Sequence, residues 1–525
     1  MSTPSIEYSV LLPLLIVFGA AVAGLLVEAL APRRYRYPAQ VALSLGGLVA
    51  ALVALTVIAG GVETFGRTAL LGSVAVDRPV LLIQGAVLVV AIMAVILIAE
   101  RTAAAPARVG VSAGAAGRGL DSFTPQGAAI PGSPAERVAA QAGVMQTEVF
   151  PLTLFSVGGM LVFPAANDLL TMFVGLEVLS LPLYLLCGLA RHRRLMSQEA
   201  ALKYFLLGAF SSAFFLFGVA LLYGTTGTLS LAGIAEAIAD HGVDTMALLG
   251  AALLAVGLLF KVGAVPFHSW IPDVYVGAPT PITGFMASAT KVAAFGALLR
   301  VVYVAFPPMH DQWRPVLWLA AIATMTVATI AAVNQSDVKR MLAYSSVSHV
   351  GFILTGVIAA IPAGVSATVF YLIAYSFSTV GAFAIVGLVR GADGVEEPDM
   401  SRWAGLGRRS PLVGLMFSLF LLAFAGIPLT SGFTSKFAVF KAAAEGGAVP
   451  LVIVGVVASG VAAYFYVRVI LLMFFTEPSE QTPQVMVPGV LAKAAIALCA
   501  AVTVLLGVLP QPVFDLVDAA TAFVR

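Results

Sequence analysis

Lysines in apolar segments are the residues of this sequence whose type and position could do chemistry. The chain has 28 basic residues, and five of its seven lysines fall within long apolar runs: Lys203, Lys261, Lys291, Lys436 and Lys493. The polar connecting segments use arginine almost exclusively. Arginine stays protonated in any protein site, whereas a buried lysine can lose its charge and release a proton. The placement of lysines in the apolar segments and arginines in the loops indicates protonation chemistry inside the apolar segments.

Each of these lysines also has a purely structural interpretation. Lys203 and Lys493 lie near predicted helix ends, where a lysine commonly extends to the membrane surface, and for Lys493 we favour that interpretation. Lys203 stays open, because the preceding run carries Glu177, a carboxylate that needs a partner if it is buried. Lys261 and Lys291 lie too deep to reach the surface, so we expect both to be functional.

A predicted helix break lies beside Lys261, in the stretch FKVGAVPFHSWIPD. Pro266 cannot donate a backbone hydrogen bond and clashes with the preceding turn, so we expect the helix to break there. Irregular backbone at membrane depth is tolerated where it is buried in protein or lines a watered cavity. Lys261 and His268 flank this break, and together they could hold a proton and pass it on.

A second break repeats the arrangement later in the chain. Pro428 interrupts another apolar run, with Thr430, Ser431 and Ser435 around it and Lys436 two turns further on. Two matching breaks, each with a nearby lysine, indicate a repeated functional device.

A histidine lies in the stretch YSSVSHVGF, close to several hydroxyl groups. Alone, His349 would be interpreted as a satisfied core residue. On a route from Lys291 to Lys436 it becomes a candidate secondary relay, together with Tyr344 and Ser345. A further cation, Arg468, cannot deprotonate, and we predict that it is a structural counter-charge.

Transmembrane helices must position these groups. Hydrophobic residues make up 60% of the chain and charged residues 10%, far below the charged fraction of about a quarter in soluble proteins. A helix needs about 20 apolar residues to cross the hydrocarbon core. We therefore predict an all-α polytopic membrane protein with about fourteen spanning helices, at 8–30, 40–60, 79–99, 149–166, 168–190, 203–223, 247–266, 281–304, 315–333, 343–361, 366–389, 411–440, 449–475 and 489–509. The first run lacks a basic leader and a cleavage site, so we expect it to be a retained helix.

The basic residues of the loops predict the orientation. Placing both termini outside puts most of the arginines in the inner loops, as the positive-inside rule requires. In this arrangement Lys339 counts as an inner-loop residue and Arg300 as an outer-loop residue. The inner loop 101–148 is rich in Ala, Gly, Pro and Ser, so we expect it to be disordered or loosely docked, without chemistry.

An internal repeat divides the chain. The segment KYFLLGAFSSAFF aligns with FYLIAYSFSTVGA, and AVPFHSW resembles GIPLTSG. The two copies start five helices apart, and an odd number of spans forces the second copy into the opposite orientation. We predict an N-terminal three-helix segment at 1–100, the loop at 101–148, a first five-helix repeat at 149–304, a second, inverted repeat at 315–475, and a final helix within 489–525.

Other classes of site have little support in the sequence. Cys187 and Cys499 both lie in apolar runs, and two such residues favour core packing over a disulfide framework or a metal site. No basic aromatic surface predicts nucleic-acid binding, and no glycine-rich phosphate loop, flavin site or iron–sulfur motif is recognisable. We therefore expect neither a metal nor a cofactor on this chain.

Four motifs carry a resemblance to a known family: NDLLTMFVGLEVLSLPLYLL, ALKYFLLGAFSSAFFLFG, FKVGAVPFHSWIPDVYVGAPTPITGFMASATK and GIPLTSGFTSKF. They resemble the antiporter-like membrane subunits of respiratory complex I, the proton-pumping NADH:quinone oxidoreductase. The resemblance covers nearly the whole chain, and the third motif is highly specific. It implies fourteen helices in two inverted five-helix repeats, breaks in the seventh and twelfth helices, and a central hydrophilic axis.

The resemblance also implies site residues and partners. The family's functional positions correspond to Glu177 in the fifth helix, Lys203 in the sixth, Lys261 in the seventh, Lys291 in the eighth and Lys436 in the twelfth. The implied partners are the other membrane subunits of the complex and the lipid bilayer of a bacterial plasma membrane. NADH, FMN, the iron–sulfur clusters and quinone would then belong to partner subunits, and this chain would belong to an enzyme without carrying a redox centre.

Two features bring the chain closest to the branch of the family called subunit N. It stops after the fourteenth predicted helix, without the long lateral helix expected of subunit L. Its twelfth helix carries Lys436, where subunit M is expected to have a glutamate. The Ala/Gly/Pro-rich loop at 101–148 departs from the family pattern.

Three functions remain open at this point. The first is redox-driven proton translocation within complex I. The second is secondary cation/proton antiport within a multi-subunit antiporter, which would use the same lysines. The third is a non-transporting membrane scaffold, for which removal of the central charges would leave transport intact.

Overall fold

Helices make up nearly all of the regular structure. The computed structural model describes residues 7–61, 66–101, 122–131, 133–141, 145–392, 394–479 and 481–524. Two small antiparallel sheets are the only multi-stranded sheets in this part of the chain, and each has two short strands. These strands are β1 (Arg67–Ala69), β2 (Val74–Val76), β3 (Val389–Arg390) and β4 (Gln484–Val485). The predicted all-α class is confirmed.

The N-terminal segment has three long helices, followed by the loop at 101–148. Half of that loop, residues 102–121, 132 and 142–144, lies outside the described residues. Within the described remainder, Phe123 is fully buried and forms an isolated bridge with Ala190. The helices are α1 (Leu12–Leu30), α2 (Arg33–Ala59), α3 (Arg78–Ile98) and the short α4 (Pro134–Gln141).

The helices of the first predicted repeat follow. Short α8 joins two spans, and α10 continues the chain after the break in the seventh predicted span. They are α5 (Val149–Val162), α6 (Leu169–Cys187), α7 (Arg194–Thr226), α8 (Leu231–His241), α9 (Thr245–Val262), α10 (Trp270–Gly277), α11 (Thr280–Phe285) and α12 (Lys291–Arg300).

The second predicted repeat and the C-terminal region complete the chain. The twelfth predicted span is divided between α17 and α18. The helices are α13 (His310–Val333), α14 (Val338–Ile358), α15 (Pro362–Val386), α16 (Leu406–Arg409), α17 (Pro411–Ala425), α18 (Ser431–Glu445), α19 (Val449–Phe475), α20 (Val490–Val508) and α21 (Gln511–Asp518).

The chain is a multi-pass membrane protein. Among the described residues, twelve helices are long and apolar enough to cross a bilayer. Two further predicted spans contain shorter apolar helices, Val149–Ala165 and Pro411–Ala425. Each predicted run therefore contains a helix, while the total of fourteen spans and the domain boundaries stay predictions.

The centre of the molecule is formed by the helices that carry the candidate residues. The apolar segment of Thr280–Ala305 is 100% buried and that of Val338–Ile358 is 94% buried, whereas those of α1 and α2 are 28% and 22% buried. Lys291 and His349 therefore lie on the two most enclosed spans, while α1 and α2 lie at the periphery.

Glycines end both broken helices. α9 ends at Val262 with Gly263 at φ +86°, and α17 ends at Ala425 with Gly426 at φ +84°. A left-handed residue after the last turn is a common helix C-cap, and a proline often follows it because proline cannot continue the helix. The predicted breaks are present, but Gly263 and Gly426 end the helices, before Pro266 and Pro428 are reached.

The two predicted repeats share a local feature. Asp168 caps α6, and Asp337 caps α14, each by accepting a hydrogen bond from a backbone N–H in the first turn. The backbone of Asp168 forms an isolated β-bridge with Ser230, and that of Asp337 forms one with Asp399. Asp337 follows Asp168 by the same number of residues as Asp399 follows Ser230, as a repeat requires. The inverted relation of the two copies stays a prediction.

Candidate functional site

Lys261 lies in the last turn of α9, directly before the break. Its Nζ donates to Ser180 Oγ at 2.7 Å and to Tyr204 OH at 3.2 Å, and the residue is 2% exposed. The ring of Tyr204 stacks on Trp270 at 4.5 Å between centroids. Trp270 Nε1 in turn donates to the carbonyl of Phe260 at 3.1 Å, which the helix break makes available. Neutral hydroxyl groups therefore hold the Lys261 amine.

Glu177 and Lys203 do not form the pair considered from the sequence. Glu177 interacts electrostatically with Lys261, and its Oε1 is buried with no hydrogen-bond partner in the described part of the chain. Lys203 Nζ lies 2.7 Å from Asp273 and 2.6 Å from Glu199, and its side chain is 40% exposed. The carboxylates that pair with Lys203 are therefore Asp273 and Glu199.

Lys291 begins α12, directly after the π-helical turn Met286–Thr290. π-Helical turns are rare and occur often at functional sites. Lys291 Nζ donates to both the hydroxyl and the carbonyl oxygen of Ser346. Lys291 Nζ also lies 5.5 Å from the centroid of the Tyr375 ring. Lys291 therefore contacts both α14 and α15.

His349 is fully enclosed among aromatic hydroxyl groups. Its Nδ1 lies 2.7 Å from Tyr371 OH, and Tyr466 OH lies 3.5 Å from its Nε2. Tyr466 also hydrogen-bonds Ser345, one turn before His349 on the same helix. Tyr344 instead packs, half-buried, against the apolar core. The structure therefore brings Ser345 and His349 together through Tyr466.

Lys436 reaches back from α18 to the end of α17. Its Nζ donates to the carbonyls of Phe424 and Ala425, each at 2.9 Å, and to Ser459 Oγ at 2.8 Å. The residue is 5% exposed. Because α17 ends at Ala425, no following turn of helix supplies backbone N–H groups to these carbonyls. The second break therefore provides the hydrogen-bond acceptors for Lys436.

Phe424 connects the histidine and this lysine. Its ring lies 5.4 Å from the His349 ring, while its carbonyl accepts from Lys436. The interior of the protein therefore contains three amines and an imidazole with neutral polar neighbours, carried by α9, α12, α14 and α18. Such groups can hold and relay protons, which apolar helices alone cannot do.

His268 lies in the segment between α9 and α10. It is half-buried, and its Nδ1 has no hydrogen-bond partner among the residues described. Its role as a relay next to Lys261 stays a prediction.

A buried ion-pair group was missed by the sequence analysis. Lys339, counted as a loop residue, is 4% exposed, and its Nζ lies 3.0 Å from Thr280 Oγ1 and 3.7 Å from Glu396. Burial raises the pKa of the Glu396 carboxyl, but Lys339 and Arg390 outweigh that effect and hold the pKa below its usual range. The signal available in the sequence was the position of Lys339, two residues after the helix cap Asp337.

Arg300 is a second residue that was counted as a loop residue but is buried. It was counted as an outer-loop residue, yet it is 0% exposed and pairs with the equally buried Asp77. Its Nε donates to the carbonyl of Pro164 at 2.9 Å. Burying an arginine requires such a partner, and the partner caps α3, far away in the sequence.

Metal ligands and cysteines complete the description. Within the described ranges, no group of three or more His, Cys, Asp or Glu residues could hold a metal ion. Cys187 and Cys499 are both free and buried, so the prediction that they are core residues is confirmed.

Known proteins are similar to this chain in sequence and in fold along its whole length. Residues 166–462 match the family described as NADH:quinone oxidoreductase/Mrp antiporter, TM. NADH-quinone oxidoreductase subunit N of Mycobacterium tuberculosis is 71% identical, with all of both chains covered. A chain of respiratory complex I from Thermus thermophilus with bound aureothin is 33% identical, with a TM-score of 0.76, covering 97% of this chain and 100% of that one.

A chain of the Mrp complex from Dietzia sp. is 22% identical, with a TM-score of 0.79, and covers 98% of this chain and 97% of its own. At that identity the likeness concerns the fold alone. By the family match, which covers more than half of the chain, and by the identity to its relatives, the chain belongs to the NADH:quinone oxidoreductase/Mrp antiporter transmembrane family.

Proposed function

We propose that this chain is a proton-translocating membrane subunit of NADH:quinone oxidoreductase, of the subunit N branch. The observation that carries the proposal is the set of buried lysines held by neutral partners next to helix breaks. Relatives that bear the subunit N name match the chain from end to end. The proposal joins that likeness to a site able to hold protons inside the membrane.

Each residue has a role in the proposed path. Glu177, Lys203 and Lys261 form the group where protons are taken up. Protons then pass Lys291 and the secondary relay at His349, with Ser345 and Tyr344 on the same helix. Lys436 releases them on the outer side. Pro266 and Pro428 maintain the breaks beside which Lys261 and Lys436 lie, and His268 assists at the first break.

Electrostatics couples the first group to the rest of the complex in this proposal. A change in the charge of Glu177 alters how firmly Lys261 holds its proton. Two unit charges about 4 Å apart interact by about 4 kcal/mol at an effective dielectric of about 20. An energy of that size changes a proton-binding equilibrium by about a thousandfold, which is enough to switch a lysine.

The remaining parts of the reaction belong to partners. Hydride transfer from NADH, the FMN and iron–sulfur electron carriers and quinone reduction take place on other subunits, and this chain adds no redox centre. The chain lies in a bacterial plasma membrane among other membrane subunits, with both termini on the outer side, as the arginine-rich loops favour.

The substitution Lys261→Ala tests the proposal. In the assembled complex reconstituted into vesicles, we expect severely reduced proton pumping, because the amine beside the first break is lost. Quinone-dependent proton uptake is measured with a pH-sensitive dye, and assembly is checked by native gel. Lys493→Ala is the matched control, because Lys493 is exposed on α20. Unchanged pumping in an assembled Lys261→Ala complex would refute the proposal.

Secondary cation/proton antiport is the second candidate, because the matched family includes Mrp antiporter subunits. Sodium-dependent pH changes in vesicles that contain this chain would favour antiport. Copurification with NADH- and quinone-binding proteins in mild detergent would favour complex I. A scaffold without transport predicts normal pumping after removal of all four central charges, at Glu177, Lys261, Lys291 and Lys436.

A further inference from the structure

An open groove lies apart from the lysine network, at the end of α19. Its volume is about 560 Å³, within the range of about 300 to 1,000 Å³ typical of small-ligand sites. Arg468, Leu471 and Phe475 form the wall contributed by α19. The opposite side includes Ser336, which follows α13, and Asp399. The groove thus combines an apolar wall with two charged side chains.

Arg468 forms no ion pair with a carboxylate of the described residues, contrary to the role predicted from the sequence. It is exposed, and its guanidinium donates to the carbonyl of Val333 at 3.4 Å. No carboxylate of the described residues lies within ion-pair distance of it. A guanidinium offers parallel N–H groups that match the oxygens of a phosphate, and its weak hydration favours such contacts. The exposed guanidinium is therefore suited to bind a phosphate group.

Asp399 provides the opposite charge in the same groove. It is exposed, and its Oδ1 accepts hydrogen bonds from the backbone N–H and the hydroxyl of Ser401 at 2.9 and 2.8 Å. Asp399 and Arg468 line one groove without pairing with each other. A ligand that carries a phosphate and a cationic hydrogen-bond donor would satisfy both side chains.

We propose that the groove binds the head group of an ethanolamine phospholipid. The phosphate binds Arg468, the primary ammonium donates to Asp399, and the acyl chains lie along Leu471 and Phe475. A purely anionic head group would place its charge next to Asp399, and a choline head group has no N–H to donate. Basic pockets between transmembrane helices bind phospholipid head groups, those of cardiolipin among them. Ser336 and Asp399 lie in connecting segments that the predicted orientation puts on the inner side, so the lipid belongs to the inner leaflet.

Native mass spectrometry of the intact complex tests this site. The complex is exchanged into nanodiscs with equal amounts of phosphatidylethanolamine, phosphatidylcholine and phosphatidylglycerol, and the lipids retained on release are counted. Arg468→Gln is expected to lower retained phosphatidylethanolamine by one molecule per complex, with about tenfold weaker binding at this site, as for the loss of one charge-assisted contact. Arg33→Gln, which replaces another exposed arginine, should retain the lipid.

A second variant tests the head-group assignment. Asp399→Asn keeps a residue able to cap the turn Met400–Trp403 but removes the negative charge. We expect it to retain a phospholipid without preference for ethanolamine. Equal lipid counts in Arg468→Gln and the unsubstituted complex would overturn the site, as would a density map with a partner subunit in the groove. Equal retention of phosphatidylglycerol by the unsubstituted complex would overturn the choice of lipid.

Discussion

At the residue scale, the three central lysines share the chemical nature of their partners. Lys261 donates to two hydroxyls, Lys291 to a hydroxyl and a carbonyl, and Lys436 to two carbonyls and a hydroxyl. A neutral oxygen accepts a hydrogen bond from an amine in either charge state. A carboxylate partner would instead favour the charged form strongly. These environments therefore suit amines whose charge changes during a cycle.

Lys203 has a different environment. It contacts two carboxylates and is partly exposed, so the ion pairs favour its protonated form. This arrangement suits a charge that acts on its neighbours more than one that leaves with its proton. The role of Lys203 in translocation stays a prediction.

Replacement of Lys436 by arginine separates a structural charge from a transferable proton. Arginine keeps the positive charge but does not deprotonate in proteins. We expect Lys436→Arg to lower proton pumping at least about tenfold while NADH oxidation and assembly persist, as measured in reconstituted vesicles. Lys441→Arg is the control, because Lys441 lies on the same helix and is exposed to solvent or lipid. Pumping at the normal rate in Lys436→Arg would mean that only the charge matters there.

At the scale of elements, the broken helices depend on two glycines. A Cβ atom on Gly426 would lie 3.0 Å from Cδ and 3.3 Å from Nζ of Lys436. On Gly263, a Cβ atom would lie 2.1 Å from Cδ1 of Ile271. Each glycine therefore both permits the left-handed backbone and leaves room for the segment that folds back. The prolines that follow keep the chain from resuming the helix.

Gly426→Ala tests whether the glycine at the second break leaves necessary room for Lys436. The left-handed conformation costs an alanine about 1–2 kcal/mol, and the new methyl group displaces the Lys436 amine from its carbonyls. We expect lower pumping and a lower midpoint of thermal unfolding. Gly227→Ala carries a similar backbone strain, at φ +71°, but has no atom within 4 Å of the new Cβ. If both variants pump equally well, the close approach of Gly426 to Lys436 is not needed for pumping.

At the scale of the whole molecule, one buried ion pair joins distant parts of the chain. Arg300 ends α12 and Asp77 caps α3, and both side chains are 0% exposed. Asp77 also accepts from the backbone N–H of Val524 at 2.9 Å, near the C-terminal end of the described chain. The pair therefore holds the N-terminal segment, the first predicted repeat and the C-terminal segment together.

Asp77→Asn measures what this pair contributes. Asparagine retains the helix cap but leaves Arg300 buried without its counter-charge, a change that typically costs about 3–5 kcal/mol. We expect a clear fall in the thermal unfolding midpoint of the detergent-solubilised protein. Asp244→Asn is the matched control, since Asp244 caps α9 through Ala247 N–H and has no ion pair within the described residues. Equal effects of the two substitutions would show that the ion pair adds nothing beyond the cap.

The sequence by itself determined that the chain crosses the membrane many times, which lysines lie in apolar segments and roughly where two helices break. These properties follow from local composition, because about 20 consecutive apolar residues suffice to span a bilayer and a Gly or Pro acts on its own turn of helix. The choice of Gly263 and Gly426 over the prolines as the ending residues was missed, since both residue types disrupt a helix.

Only the tertiary structure decided what each buried charge contacts. Lys261 and Ser180 are 81 positions apart, Lys291 and Ser346 are 55 apart, and Arg300 and Asp77 are 223 apart. A hydrogen bond acts over about 3 Å, so these pairs form only where packing sets one helix face against another. The burial of Lys339 and the pairing of Lys203 with Asp273 arise in the same way. The spacing of helices along the chain does not show which faces pack together, so the partners could be identified only from the structure.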